Sequence, residues 1–183
     1  MKERKYLALR RVFYRCLLWL MILTCGVSLV PRGSAEALLP ELASEAAILM
    51  DAETGQILFD KNAYLVMYPA SITKVMTGLL ALEHGNPEQE LTVSNQVIAQ
   101  VPRSSSHIAL QPGETLTLQD ALYALAISSA NDAAVAIAEG ISGSVEAFAE
   151  LMNQEASELG TLNTHFANPN GLPSGEHYTT AYD

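Results

Sequence analysis

One stretch between Pro69 and Pro87 dictates how the rest of the chain must be arranged. Residues 71–84 carry Ile72, Val75, Met76, Leu79, Leu80 and Leu82, which at helical spacing put apolar groups on nearly every side. A helix of that kind is a buried one, so other elements have to wrap it. Gly85-Asn86-Pro87 supplies the stop signal after it.

The flanking segments offer candidates for the wrapping. Residues 46–50 read as a buried strand and residues 56–59 as its returning partner, joined through Asp51-Ala-Glu-Thr-Gly55 as a hairpin. Residues 60–69 read as a loop, residues 90–94 as a short strand and residues 100–114 as loop. Residues 117–128 are helical, with Leu118, Leu122 and Leu125 on one stripe, Thr117 as N-cap and Asp120 where a capping-box acid sits. Two alanine-rich helices follow, over residues 132–141 and 145–159, with Gly160 as the cap of the second. From Thr161 onward the chain is polar and turn-rich. A two-stranded sheet is not stable alone, so either the helices cover the hairpin or further strands belong to it.

The first 35 residues read as a signal peptide rather than as part of the fold. Lys2, Arg4, Lys5, Arg10, Arg11 and Arg15 precede an uncharged apolar run over residues 16–30, and Gly33-Ser34-Ala35-Glu36-Ala37 offers small residues for cleavage after Ala35 or Ala37. The run is short for a membrane span, which needs about 20 residues. An uncleaved N-terminal anchor, and lipidation at Cys25 within Leu23-Thr24-Cys25-Gly26, are the alternatives. The expected organisation is a leader over 1–35 and a folded domain over 38–183.

Charge and cysteine content then exclude several function classes. From Glu36 onward 19 acidic residues stand against Lys61, Lys74 and Arg103, a net of −16, which repels nucleic-acid phosphates. Both cysteines, Cys16 and Cys25, lie in the leader, so a mature chain has no disulfide or thiol chemistry. His84, His107, His165 and His177 are scattered without metal-ligand spacing, and no metal is expected. The composition, 49% apolar and 16% charged, is that of a folded domain.

Two motifs carry chemistry. In Ser71-Ile72-Thr73-Lys74 the first and last residues share one helix face, within reach of each other. A serine hydroxyl needs a base to take its proton. A lysine serves as that base when burial disfavours its ammonium form. Ser71 at a helix start also aims its own N–H toward a developing oxyanion. The plain alternative is an N-cap serine followed by a solvated lysine. In Ser129-Ala130-Asn131 a second hydroxyl is placed to pass the proton to a leaving amine, and the Asn131 amide to bind a lysine or a substrate carbonyl. The plain alternative is a helix-to-helix turn with Asn131 as cap.

Taken together, Pro69-Ala-Ser-Ile-Thr-Lys-Val-Met-Thr77, Leu110-Gln-Pro-Gly-Glu-Thr-Leu-Thr-Leu-Gln-Asp-Ala-Leu-Tyr123 and Ser128-Ser-Ala-Asn-Asp-Ala-Ala134 resemble the low-molecular-mass penicillin-binding proteins, the serine D-alanyl-D-alanine carboxypeptidases. Asp51-Ala-Glu-Thr-Gly55 and Thr164-His-Phe-Ala-Asn-Pro-Asn-Gly-Leu172 resemble further segments of that family, so the likeness covers about residues 45–183. It implies an α/β (α+β) fold of the β-lactamase and penicillin-binding-protein type, here with the N-terminal hairpin and helical subdomain and without the C-terminal sheet strands. It implies Ser71 as acyl-ester nucleophile, Lys74 as proton acceptor, Ser129 as second-motif serine and Asn131 as its substrate-binding partner, with no cofactor. The implied substrate is a peptidoglycan stem peptide ending in D-Ala-D-Ala, β-lactams acting as its mimics. The implied location is the extracytoplasmic face of the membrane or the wall space, with the leader as a possible membrane attachment.

The sequence departs from the family in one respect. A third motif, Lys-Thr-Gly, does not occur: neither Lys61 nor Lys74 precedes Thr-Gly. A missing oxyanion donor costs about 10²–10³ in rate. A non-catalytic wall-binding module, or an inert fragment, is therefore one competing reading. A class A-type β-lactamase is another, set back by Ser-Ala-Asn in place of Ser-Asp-Asn and by Glu158 standing one residue too far from Leu162-Asn163. An unrelated helical secreted protein is a third, and it predicts that Ser71 and Ser129 lie far apart.

Overall fold

The computed structural model describes residues 41–183. The leader, its cysteines and both candidate cleavage points lie outside the described residues. Ser44–Asp183 forms one compact unit. No helix among the described residues is long and apolar enough to cross a membrane.

The chain runs through β1 (Ala47–Met50), β2 (Ile57–Lys61), a 3-10 turn (Ala70–Ile72), α1 (Thr73–His84), β3 (Glu90–Thr92), α2 (Asn95–Ala99), β4 (Thr115–Thr117), α3 (Leu118–Ser128), α4 (Asn131–Ser142) and α5 (Val145–Glu158). β1 and β2 form the expected antiparallel hairpin, with Ala47 opposite Lys61 and an irregularity between Leu49 and Met50. Its turn is tied by the Asp51 carboxylate, which accepts from the Thr54 hydroxyl at 2.6 Å and the Thr54 N–H at 2.8 Å. These bonds, the hydroxyl's foremost, hold the Asp51 carboxyl below its ordinary value. The helices do not cover the hairpin: Leu49 and Leu58 are 57% and 56% exposed.

The helix wrapped on all sides is α4. Every residue from Asn131 to Ala138 is buried, and α4 touches α1, α2, α3, α5 and β3. Its sequence explains this. Ala133, Ala134, Ala136 and Ala138 leave room for neighbouring helices to approach, and Val135 and Ile137 fill the remaining gaps. Phe148 and Met152 from α5, Leu80 from α1 and Leu118 and Leu125 from α3 close the core around it. Burying a side chain such as Phe148 contributes roughly 1.5–3 kcal/mol.

The expectation that residues 71–84 form the buried helix is corrected. α1 buries Thr73, Lys74, Thr77, Leu80 and Ala81, while Val75 and Leu82 are 73% and 67% exposed. Counting apolar positions does not reveal which side a helix turns inward when polar residues find buried partners. The role expected of Gly85 also changes. Its φ of −105° is ordinary, and what needs glycine is space, because a Cβ there would lie 2.3 Å from Leu118 Cδ2.

Further detail departs from expectation between residues 93 and 131. α2 was not expected. Its N-cap is Ser94, whose hydroxyl accepts from Gln96 N and Val97 N. Thr117 caps α3 as anticipated, accepting from Asp120 N at 3.1 Å, and its hydroxyl donates to the Asp120 carboxylate at 2.7 Å. Asn131 does not cap α4. It is the first helical residue, and the N-cap is Ala130, which has no side-chain bond to offer.

The loop before β4 is fastened to α4 by a buried carboxylate. Asp132 accepts from Ile108 N at 3.2 Å, Leu110 N at 3.1 Å and Ala133 N at 2.9 Å. Between the first two, Ala109 sits at φ 63°, a left-handed conformation that a residue with a Cβ adopts only when its neighbours are held. Replacing Asp132 with Ala strands those N–H groups, of which Leu110 N and Ala133 N are buried. We expect Asp132→Ala to lower unfolding free energy by about 3 kcal/mol in urea titrations. Hydrogen exchange at Ile108 and Leu110 should accelerate more than at α5; unchanged protection there would refute the anchoring role.

Candidate active site

Ser71 stands in the single 3-10 turn that leads into α1. The turn is entered through Ala70 at φ 50°, an unfavourable backbone for alanine that something must hold. The holding segment is Asn168-Pro-Asn-Gly171. Gly171, at φ 82°, lies so near that a Cβ on it would fall 1.9 Å from Ala70 O and 3.1 Å from Ser71 N. Only glycine satisfies both the left-handed φ and that approach.

The same segment is laced along α1. Thr77 Oγ1 donates to Pro169 O, and Lys74 Nζ donates to Asn170 O at 2.8 Å. Asn168 keeps the turn closed: its Oδ1 accepts from Gly171 N at 2.7 Å and its Nδ2 donates to Leu172 O at 2.9 Å. Behind the turn, Met67 and Thr179 exchange backbone bonds of 2.8 and 2.9 Å, and His165 and Tyr178 exchange another pair of 2.9 and 3.0 Å. The strand-like stretch before the nucleophile is thus tied to the end of the chain.

Lys74 is 6% exposed. Its amine reaches the Ser71 hydroxyl at 3.3 Å and the Asn170 carbonyl at 2.8 Å. Both partners are neutral, and burial pushes the amine below its ordinary value of 10.5. The geometry therefore favours an amine able to accept a proton from the neighbouring hydroxyl. A solvated first-turn lysine is not what the structure contains.

Ser71, Lys74 and Ser129 line one cleft of about 790 Å³ between α1 and α3. Ser129 gets there because it ends α3 in the left-handed conformation, φ 51°, which turns the chain sharply into α4. Val75, Leu79, Leu122 and Leu125 continue the cleft as an apolar trough. The convergence of Ser71 with Ser129 is contrary to what a chance motif match predicts. Asn131 is not among the residues lining that cleft. It is 5% exposed, and its N–H donates to Ser106 O at 2.9 Å.

Several residues that shape this site were not singled out in sequence as site residues. Asn170 and Gly171 read as a turn, with nothing to say that the turn docks on Ser71. His177 stood out only as an isolated histidine. It is 1% exposed, with Nδ1 accepting from Ala167 N at 3.0 Å and Nε2 lying 2.7 Å from Thr73 Oγ1. Because Nδ1 accepts, the proton of the neutral ring is on Nε2, which donates to Thr73. Burial, and secondarily the nearby His165, push the His177 ring below its ordinary value.

The Lys74 environment has a consequence for stability. The unfolded chain binds a proton on Lys74 up to about its ordinary value, whereas the folded chain releases it earlier. The folded protein therefore gains stability relative to a Lys74→Met variant as pH rises from the lowered folded value toward 10.5. We expect urea unfolding of the two proteins to show that widening gain over the alkaline range. Parallel stability curves would contradict a desolvated amine.

The family described as D-alanyl-D-alanine carboxypeptidase, peptidase S11, matches residues 33–183. The chain is 41% identical over 180 residues to the D-alanyl-D-alanine carboxypeptidase DacF of Bacillus subtilis, covering 96% of this chain and 46% of that protein. Among solved structures, penicillin binding protein 5 from Haemophilus influenzae superposes with a TM-score of 0.74 at 33% identity, over 79% of this chain and 43% of that one. The D-alanyl-D-alanine carboxypeptidase DacD from Francisella tularensis gives 0.70 at 37% identity, over 78% and 35%. The chain spans about half the length, or less, of the relatives it matches.

Proposed function

The chain belongs to the D-alanyl-D-alanine carboxypeptidase family, peptidase S11, and on that premise we propose that its cleft is the acylation site of a cell-wall hydrolase. The observation that carries the reading is the buried Lys74 amine 3.3 Å from the Ser71 hydroxyl, in a cleft that Ser129 shares.

In the proposed reaction Ser71 Oγ attacks the carbonyl carbon between the two terminal D-alanines of a stem peptide. Lys74 Nζ takes the hydroxyl proton. The C–N bond breaks, and the departing D-alanine amine takes a proton relayed through the Ser129 hydroxyl. Water then cleaves the Ser71 ester and restores the hydroxyl. Asn170 O supports this cycle by holding the amine beside Ser71 in either protonation state. Asn131 enters as the amide for the substrate carbonyl, on family resemblance alone. A β-lactam takes the same path as far as the ester, its ring carbonyl replacing the peptide's. No step calls for a cofactor. We further propose that residues 1–35 direct export, that 38–183 work outside the cytoplasmic membrane, and that the leader provides any membrane attachment before cleavage.

The test is labelling by a fluorescent penicillin. We expect a covalent adduct on Ser71 by peptide mass analysis, lost in Ser71→Ala and reduced at least about 10²-fold in Lys74→Met. No adduct on a folded chain would contradict acylation.

A further inference from the structure

Among the described residues, His177 is the most deeply buried titratable side chain that the proposed chemistry leaves unused. It lies 104 residues from Thr73 in sequence and 2.7 Å from its hydroxyl. Thr73 is the residue before Lys74 and opens α1. The other ring nitrogen accepts from Ala167 N, and Ala167 leads directly into the turn whose Asn170 carbonyl meets the Lys74 amine. One imidazole therefore spans the helix carrying the amine and the segment carrying the amine's acceptor. Phe166 packs its ring edge-on against it, with centroids 5.7 Å apart.

We propose that His177 is a positioning residue for Lys74. Its neutral ring, with the proton on Nε2, clamps Ala167 to Thr73 and so fixes the distance between Asn170 O and Lys74 Nζ. The inference rests on Lys74 being the amine that acts on Ser71. The clamp does not touch substrate, and its effect reaches the chemistry through the amine. Removing it lets the 167–171 turn drift from α1. Water then enters beside Lys74, and the ammonium form regains solvation.

The experiment is site-resolved NMR titration of the Lys74 side chain in the full chain without substrate, so it is independent of whether penicillin acylates Ser71. Two variants open the clamp from opposite ends: His177→Phe keeps the ring and its packing, and Thr73→Val keeps the side-chain shape. We expect the Lys74 titration midpoint to move up by roughly one unit in both. Hydrogen exchange at Asn170 and Gly171 should quicken, with α5 protection unchanged. His177→Gln retains a side-chain donor and acceptor, and we expect it to bring the midpoint most of the way back. Should His177→Phe fail to fold, the isosteric Thr73→Val decides alone. A Lys74 midpoint that stays at its wild-type position in folded Thr73→Val would overturn the proposal. An unlabelled Ser71 together with a shifted midpoint would sink the acylation reading and leave the clamp standing.

Discussion

A primary amine shielded from water between one hydroxyl and one carbonyl sets the terms for the rest of this molecule. Lys74 donates to Ser71 Oγ and Asn170 O, and neither partner carries the charge that would compensate an ammonium in a dry site. Such an arrangement costs stability and persists only if the surrounding structure prevents the amine from turning outward. Much of what the fold does near the cleft follows from that requirement. The 161–183 stretch has no helix and few apolar residues, yet it is held by backbone exchange with Met67 and by side-chain bonds along α1. Its turn presses on the nucleophile closely enough that Gly171 has no substitute.

Beneath the cleft, α4 provides the rigid reference. Its alanine face lets α1, α3 and α5 approach, so the two helices whose ends carry Ser71 and Ser129 are both packed on one rod. Asp132, in the first turn of α4, binds the 106–110 loop, and the left-handed Ser129 directs the chain from α3 into α4. The second hydroxyl therefore reaches the cleft through a sharp corner whose far side is pinned. Apolar packing fixes the helices, and a small number of buried polar bonds fixes what projects from them.

Much of this was legible in the sequence. Periodicity gave the hairpin and the four longer helices because their apolar residues follow regular spacing. The Thr117 cap, the Gly160 stop and the Ser71–Lys74 spacing depend on local geometry, which sequence encodes directly. What was not legible depends on partners distant in the chain. The inward side of α1 is decided by Thr73, Thr77 and Lys74 bonding to residues more than ninety positions away, so hydrophobicity pointed to the wrong helix as the buried one. The docking of Asn170 and Gly171, and the clamp through His177, belong to the same class. Asn131 illustrates the converse: its position suggested a cap, and the chain makes it the first helical residue of α4, with its backbone N–H donating to Ser106 O.

The chemistry open to this cleft depends on the state of one nitrogen. Uniform labelling with site assignment of the four lysines makes its titration directly observable in the intact chain. We expect the Lys74 side-chain resonance of the wild-type protein to titrate below 10.5. A Lys74 resonance that titrates at 10.5 would mean an amine in open water, and the proton acceptor beside Ser71 would have to be sought elsewhere.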